Sequence, residues 1–200
     1  MAISLQKGQK ISLQKNPSRG LGEILVNLNW NSKPVKQGIL SGLFGSKGID
    51  LDLGCLFELK DGRKGTVQAL GNAFGNLNNE PYIMLDGDDR TGNSIAGENL
   101  RINGDQLCKI KRILVYTFIY EGVANWQQAD ATVTIKYPGA EDILVKMDSY
   151  NSTNKMCGLA LLENINDETF SVEKIVQFYQ GHEALDREFH WGIQWRAGHK

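Results

Sequence analysis

The chain has 200 residues, 41% hydrophobic and 22% charged, which is enough apolar content for one domain of ordinary to generous size. Its 22 basic and 23 acidic residues leave a net charge of −1, without the basic excess expected of a nucleic-acid binder. No apolar run reaches the roughly 18 residues of a transmembrane segment, and the opening MAISLQKGQKISLQK lacks a secretory h-region.

The chain begins with a repeat: Ile3-Ser4-Leu5-Gln6-Lys7 returns as Ile11-Ser12-Leu13-Gln14-Lys15, with Gly8 between the copies. Each copy alternates apolar and polar, so two strands paired with each other are expected. EILVNLNWN follows, with Ile24, Val26, Leu28 and Trp30 on one parity. Residues 32–48 hold Pro34 and four glycines and read as a long loop or flap. GIDLDLGCLFEL is the cleanest strand: Ile49, Leu51, Leu53, Cys55, Phe57 and Leu59 share one face, and Asp50 and Asp52 lie on the other. KGTVQAL, EPYIML and ENLRIN add shorter strands. KIKR reads as a solvated lead-in to RILVYTFIY, which is apolar on both faces and hence central.

DATVTIKYPGAEDILVKM reads as a hairpin turning at Pro138-Gly139, and GLALLENI and FSVEKIVQFY as two more strands. Only HEALDREF, after Gly181, reads as helix. Strands recurring every 8–12 residues with so little helix define an all-β sandwich or barrel.

The chemistry concentrates in acids. Asp50 and Asp52, two apart on a strand, project from one face roughly 6.5–7 Å apart. Asp86, Asp88 and Asp89 crowd LDGDDRTG, and Glu98 and Asn99 follow as the chain re-enters a strand. If these segments meet at one edge, six carboxylates converge. Two charges about 5 Å apart at an effective dielectric near 20 repel by roughly 3 kcal/mol. Several such pairs consume much of a domain's ~5–15 kcal/mol stability.

A hard cation reverses that sign. Calcium takes six to eight oxygens and tolerates irregular loops, whereas magnesium keeps its waters. Zinc would want His or Cys, and none is interleaved here. The turn is not an EF-hand, because the sixth position from Asp86 is Thr91 rather than Gly. Aspartates also favour turns by bonding their own backbone, so local sequence leaves both readings open.

Other residues carry weaker signals. His182, His190 and His199 gather near the C-terminus, and Cys157 with His182 is a conceivable nucleophile pair without a supporting motif. The three cysteines are scattered, without a C-x-x-C, which fits a reduced, cytoplasmic setting. Trp30, Trp126, Trp191 and Trp195 read as packing residues, with WGIQW the one candidate for an exposed ligand or partner surface.

The doubled ISLQK opening, IDLDLGCLFEL and YIMLDGDDRTGNSIAGENLRIN resemble the TerD-like tellurium-resistance and stress-protein family. GTVQALGNAFGN, PYIMLDGDDRTG and ILVYTFIYEG resemble its TerA branch, and the likeness continues into QGHEALDREFHWGIQW. The resemblance implies a single calcium-binding domain over residues 1–200, a two-sheet antiparallel β-sandwich with one short C-terminal helix. In the family the metal is held by acidic loops of the type GD(D/N)-x-TG…GDDE together with the aspartates of a DLD strand. Carried onto this chain, those elements are residues 87–92 with Asp88 and Asp89, then Gly97-Glu98-Asn99, then Asp50-Leu51-Asp52. GEN stands where the family has GDDE, one carboxylate fewer, which tells against a second calcium ion. Asp86 joins the set by position alone.

The expected function is a non-enzymatic, Ca²⁺-binding cytoplasmic module of tellurite resistance and stress response. It would act through other proteins of that system, with no nucleic-acid partner. The alternative is a C2-like or lectin-like domain in which Ca²⁺ meets a lipid headgroup or sugar, which would place the protein peripherally on membranes.

Overall fold

The computed structural model describes residues 2–16, 20–31, 49–87, 97–122, 125–148, 150 and 153–196. The described strands begin with β1 (Ala2–Ser4), β2 (Lys10–Ser12), β3 (Glu23–Asn29), β4 (Asp50–Leu59), β5 (Lys64–Gln68), β6 (Gly75–Asn76) and β7 (Ile83–Leu85). Then come β8 (Glu98–Asn103), β9 (Ile110–Glu121), a short helix α1 (Trp126–Ala129), β10 (Thr132–Lys136) and β11 (Asp142–Lys146). β12 (Met156–Ile165), β13 (Thr169–Tyr179) and α2 (His182–Glu188) complete the series.

Two sheets form, one ordered β1-β11-β10-β3-β8-β7-β6 and the other β2-β13-β12-β9-β4-β5. Neighbours run antiparallel except β1 beside β11. The all-β, two-sheet sandwich expected from strand spacing and resemblance is the architecture observed. The hairpin β10–β11 turns around Pro138-Gly139, β9 lies centrally between β12 and β4, and α2 starts after Gly181, each as the sequence predicts.

In the first sheet the alternation of β3 and β8 decides which way they face. Ile24, Val26 and Leu28 meet Leu100 and Ile102 in the core between the sheets, leaving Asn27 and Arg101 outward. β4 and β9 are different, being buried on both faces. Leu51, Leu53 and Cys55 enter the shared core, while Leu56, Leu114, Tyr116 and Phe118 build a second cluster on the far face. Leu185 of α2 and Trp191 close that cluster. The DLD face of β4 therefore points away from the shared core, as expected, but Asp52 is only 1% exposed.

Two expectations are corrected. The repeated ISLQK copies do not pair with each other: β1 lies beside β11 at the edge of one sheet and β2 beside β13 at the edge of the other. Gly8, at φ +74°, turns the chain across the side of the sandwich. Leu5 and Leu13 then enter the same core from opposite sheets. An alternating pattern demands one buried face and does not choose the partner strand. KIKR is not merely solvated, because Arg112 is in register with Glu58 of β4. Lys111 Nζ donates to Glu58 Oε1 at 2.8 Å and Arg112 Nε to Oε2 at 2.6 Å.

Candidate functional site at the acidic end

β3 and β7 end, and β4 and β8 begin, at one end of the sandwich. Trp30, just past β3, donates its indole N–H to the Ile49 carbonyl at 3.0 Å and so ties the first sheet to the start of β4. Glu98, first residue of β8, sits on the inward parity with Leu100 and Ile102 and is 3% exposed. Its Oε2 accepts the Leu53 backbone N–H at 2.6 Å, so a carboxylate from one sheet reaches the DLD segment of the other. Asp50 lies opposite Glu121 and Asp52 opposite Phe118.

Gly97 makes this approach possible. Its φ is +67°, and a Cβ there would sit 2.1 Å from the Leu28 carbonyl oxygen. Any other residue would push β8 off β3 just where Glu98 is aimed.

The remaining predicted residues separate. Asp86 receives Arg101 bidentately, Nε to Oδ1 at 2.6 Å and Nη2 to Oδ2 at 2.7 Å, and Glu23 takes the other arm of the same guanidinium. Asn99 sits on the outward parity of β8 and accepts from Asn27 Nδ2 at 2.8 Å, while Asn29 donates to Asn27. Asp88 and Asp89 lie outside the described residues, in the stretch joining Gly87 to Gly97, as do residues 32–48 and His199. The structure thus brings Asp50, Asp52 and Glu98 to one end, but puts Asp86 and Asn99 on the outer face of the first sheet. Among the described residues no three His, Cys, Asp or Glu side chains gather into a metal-binding group.

The C-terminal signals resolve into structure. Cys157 belongs to the core between the sheets, whereas His182 packs on the outer cluster against Tyr116 and Phe118, so the two face opposite sides of the second sheet. Burial pushes the Cys157 thiol well above its usual range. Burial also lowers His182 to about 4, leaving it neutral at physiological pH. WGIQW is a latch: Asp186 accepts from the Gly192 and Ile193 backbone N–H groups at 2.7 and 2.9 Å and from Trp195 Nε1 at 3.0 Å. Trp191 is fully buried, donates to the Phe57 carbonyl at 3.0 Å, and carries the Arg112 guanidinium 3.8 Å over its ring.

Sequence reading missed a polar relay on the same face. Tyr116 OH donates to Gln68 Oε1 at 2.6 Å, and His182 Nε2 meets that oxygen at 2.9 Å, which assigns the Nε2–H tautomer. No spacing in the sequence joins these three residues, because β9, β5 on the far side of β4, and the distant helix α2 supply one each.

The site thus sits at one end of a two-sheet β-sandwich, with acids from the DLD strand of one sheet and the GEN strand start of the other. The TerD domain family matches residues 1–137. Over 200 residues the chain is 45% identical to Tellurium resistance protein TerA of an Alcaligenes species, covering 99% of this chain and 58% of that protein. It is 33% identical over 130 residues to Stress response protein SCP2 of Bacillus subtilis (strain 168), covering 64% of this chain and 65% of the relative. A crystal structure of a homologue of telluride resistance protein (TerD) from Streptomyces coelicolor A3(2) superposes with a TM-score of 0.57 at 18% identity, covering 84% of this chain and 95% of the other. The chain belongs to the TerD family of tellurium-resistance and stress-response proteins, and it is most like the TerA branch. It spans 58% of the length of its TerA relative.

Proposed function

We propose that the acidic end binds calcium and that the protein serves tellurium resistance or stress response as a cytoplasmic, non-enzymatic module acting through protein partners of that system. The observation carrying this reading is the Glu98–Leu53 contact of 2.6 Å, which joins the GEN and DLD segments across the two sheets. Burying like charges together is unfavourable in proportion to their closeness, and a divalent ion turns that repulsion into attraction.

The donor set favours a hard cation: carboxylates, with no His or Cys among them. Asp50, Asp52 and Glu98 would hold the ion together with Asp88 and Asp89 of the joining stretch. Asp86 fits poorly, since the Arg101 guanidinium already neutralises it and would repel a cation. Asn99 fits poorly too, being turned to Asn27. The ion would supply charge neutralisation, fixing the strand starts of both sheets relative to one another. A non-catalytic role is supported by the separation of Cys157 from His182 by the thickness of a sheet.

Thermal unfolding tests the reading. EDTA should lower the melting temperature and added Ca²⁺ restore it. At about 100 times Kd the gain is ~2.7 kcal/mol if only the folded chain binds. An Asp88→Ala variant with an undiminished Ca²⁺ response would contradict the assignment.

A further inference from the structure

A cavity of about 930 Å³ lies on the outer face of the second sheet, well within the size range of small-molecule sites. β5, the turn at Leu70–Asn72, α2 and residues 193–196 enclose it. Its walls combine apolar surface from Leu70, Ile193 and the Trp195 indole with side-chain amides from Gln68, Gln180 and Gln194. Trp195 is fixed in place, its N–H held by Asp186 at 3.0 Å and its ring 4.9 Å from that of His182. Gln68 is 6% exposed, and its carbonyl oxygen is taken by Tyr116 and His182. Its amide nitrogen has no protein acceptor among the described residues, and this is the end of the side chain left for the cavity.

Two arginines line the same space. Every other described arginine has carboxylate partners: Arg63 has Asp61 and Glu80, Arg101 has Asp86 and Glu23, and Arg112 has Glu58. Arg187 and Arg196 have none among the described residues, and both face this cavity. Glu183 is the one acid in the lining, so two guanidinium groups against one carboxylate leave a single net positive charge. His182 adds none, being neutral. Guanidinium forks match carboxylate and phosphate oxygens bidentately, and an indole face favours a flat apolar body.

We propose that this cavity binds a small organic anion with a flat aromatic body, its carboxylate or phosphate-ester oxygens held by Arg187 and Arg196 and its ring laid against Trp195. The cavity lining includes none of the residues assigned to calcium. Titration calorimetry with indole-3-acetate and with phenyl phosphate, in EDTA, tests it. Acetate and inorganic phosphate serve as headgroups alone, and indole as the body alone.

The expected result is saturable binding of at least one aromatic anion with Kd on the order of 1 mM or tighter, and binding of the separate pieces at least tenfold weaker. The doubly substituted Arg187→Ala/Arg196→Ala protein should unfold at the wild-type temperature and bind at least tenfold more weakly. Preference for indole-3-acetate or for phenyl phosphate then says which oxygen acid the site selects. Absence of saturation by both aromatic anions would overturn the proposal. So would equal affinity in the double variant, or equal binding of a headgroup without its ring.

Discussion

The two ends of the second sheet use carboxylates in opposite ways. At the C-terminal latch, Asp186 meets only donors, two backbone N–H groups and an indole. Nearby Glu58 meets only cations, Lys111 and Arg112. Burial raises the Glu58 pKa, but hydrogen bonds from Lys111 and Arg112 outweigh it and hold the carboxyl below its ordinary range. At the acidic end, Asp50 is in register with Glu121, and Glu98 accepts a backbone N–H from the strand that carries Asp52. A carboxylate surrounded by donors is architecture, whereas acids supplied by two sheets at one end are the place proposed for a cation.

Substitutions should separate the two regions. The largest effect belongs to the latch. Trp191→Ala should cost about 3–5 kcal/mol in chemical denaturation, since it empties a fully buried site. Asp186→Ala should cost about 2–4 kcal/mol by leaving its donors unsatisfied. Both losses should be the same in EDTA and in Ca²⁺. Asp52→Asn should behave differently, near neutral or stabilising in EDTA and destabilising relative to wild type only when Ca²⁺ is present. A calcium-independent loss for Asp52→Asn would merge the two regions and remove the distinction.

The pH dependence comes next in size. His182 is lowered from 6.5 to about 4 in the folded chain. The unfolded chain therefore binds the proton first, and stability falls as pH drops from about 6.5 towards 4 and levels off below. The full loss is on the order of 3 kcal/mol. A His182→Gln variant should flatten this part of the profile, as followed by urea midpoints across pH. Glu58, with its depressed pKa, adds a further loss at more acidic pH, as it protonates and releases Lys111 and Arg112. The smallest effect is expected at the exposed Asp86–Arg101 pair, where Asp86→Asn should change stability by about 0–1 kcal/mol. Calcium affinity should hardly move, in contrast to Asp88→Ala.

Most of the strand pattern was legible because alternation is a local signal. β4, β9, the β10–β11 hairpin and α2 could all be placed from their own residues. The repeated ISLQK was read as a hairpin because two like strands can pair, yet the free edges lay on different sheets. The aspartates of β4 were correctly placed on the face away from the shared core. The burial of Asp52 was not legible, since a strand's own alternation does not say what covers its outer face. WGIQW likewise looked like a surface pair. Its role depends on Asp186 finding backbone donors, which no side-chain pattern announces. At the acidic end, the family motif named the segments, but only the fold could show Asp86 diverted to Arg101 and Glu98 reaching Leu53.

Calorimetric titration of Ca²⁺ into EDTA-stripped protein, beside Asp52→Asn and Glu98→Gln variants of verified fold, tests the central claim most directly. Saturable binding by the wild type that is weakened at least tenfold in both variants is the predicted result. Absence of binding heat and of any melting shift at millimolar Ca²⁺, or identical isotherms for all three proteins, would contradict it.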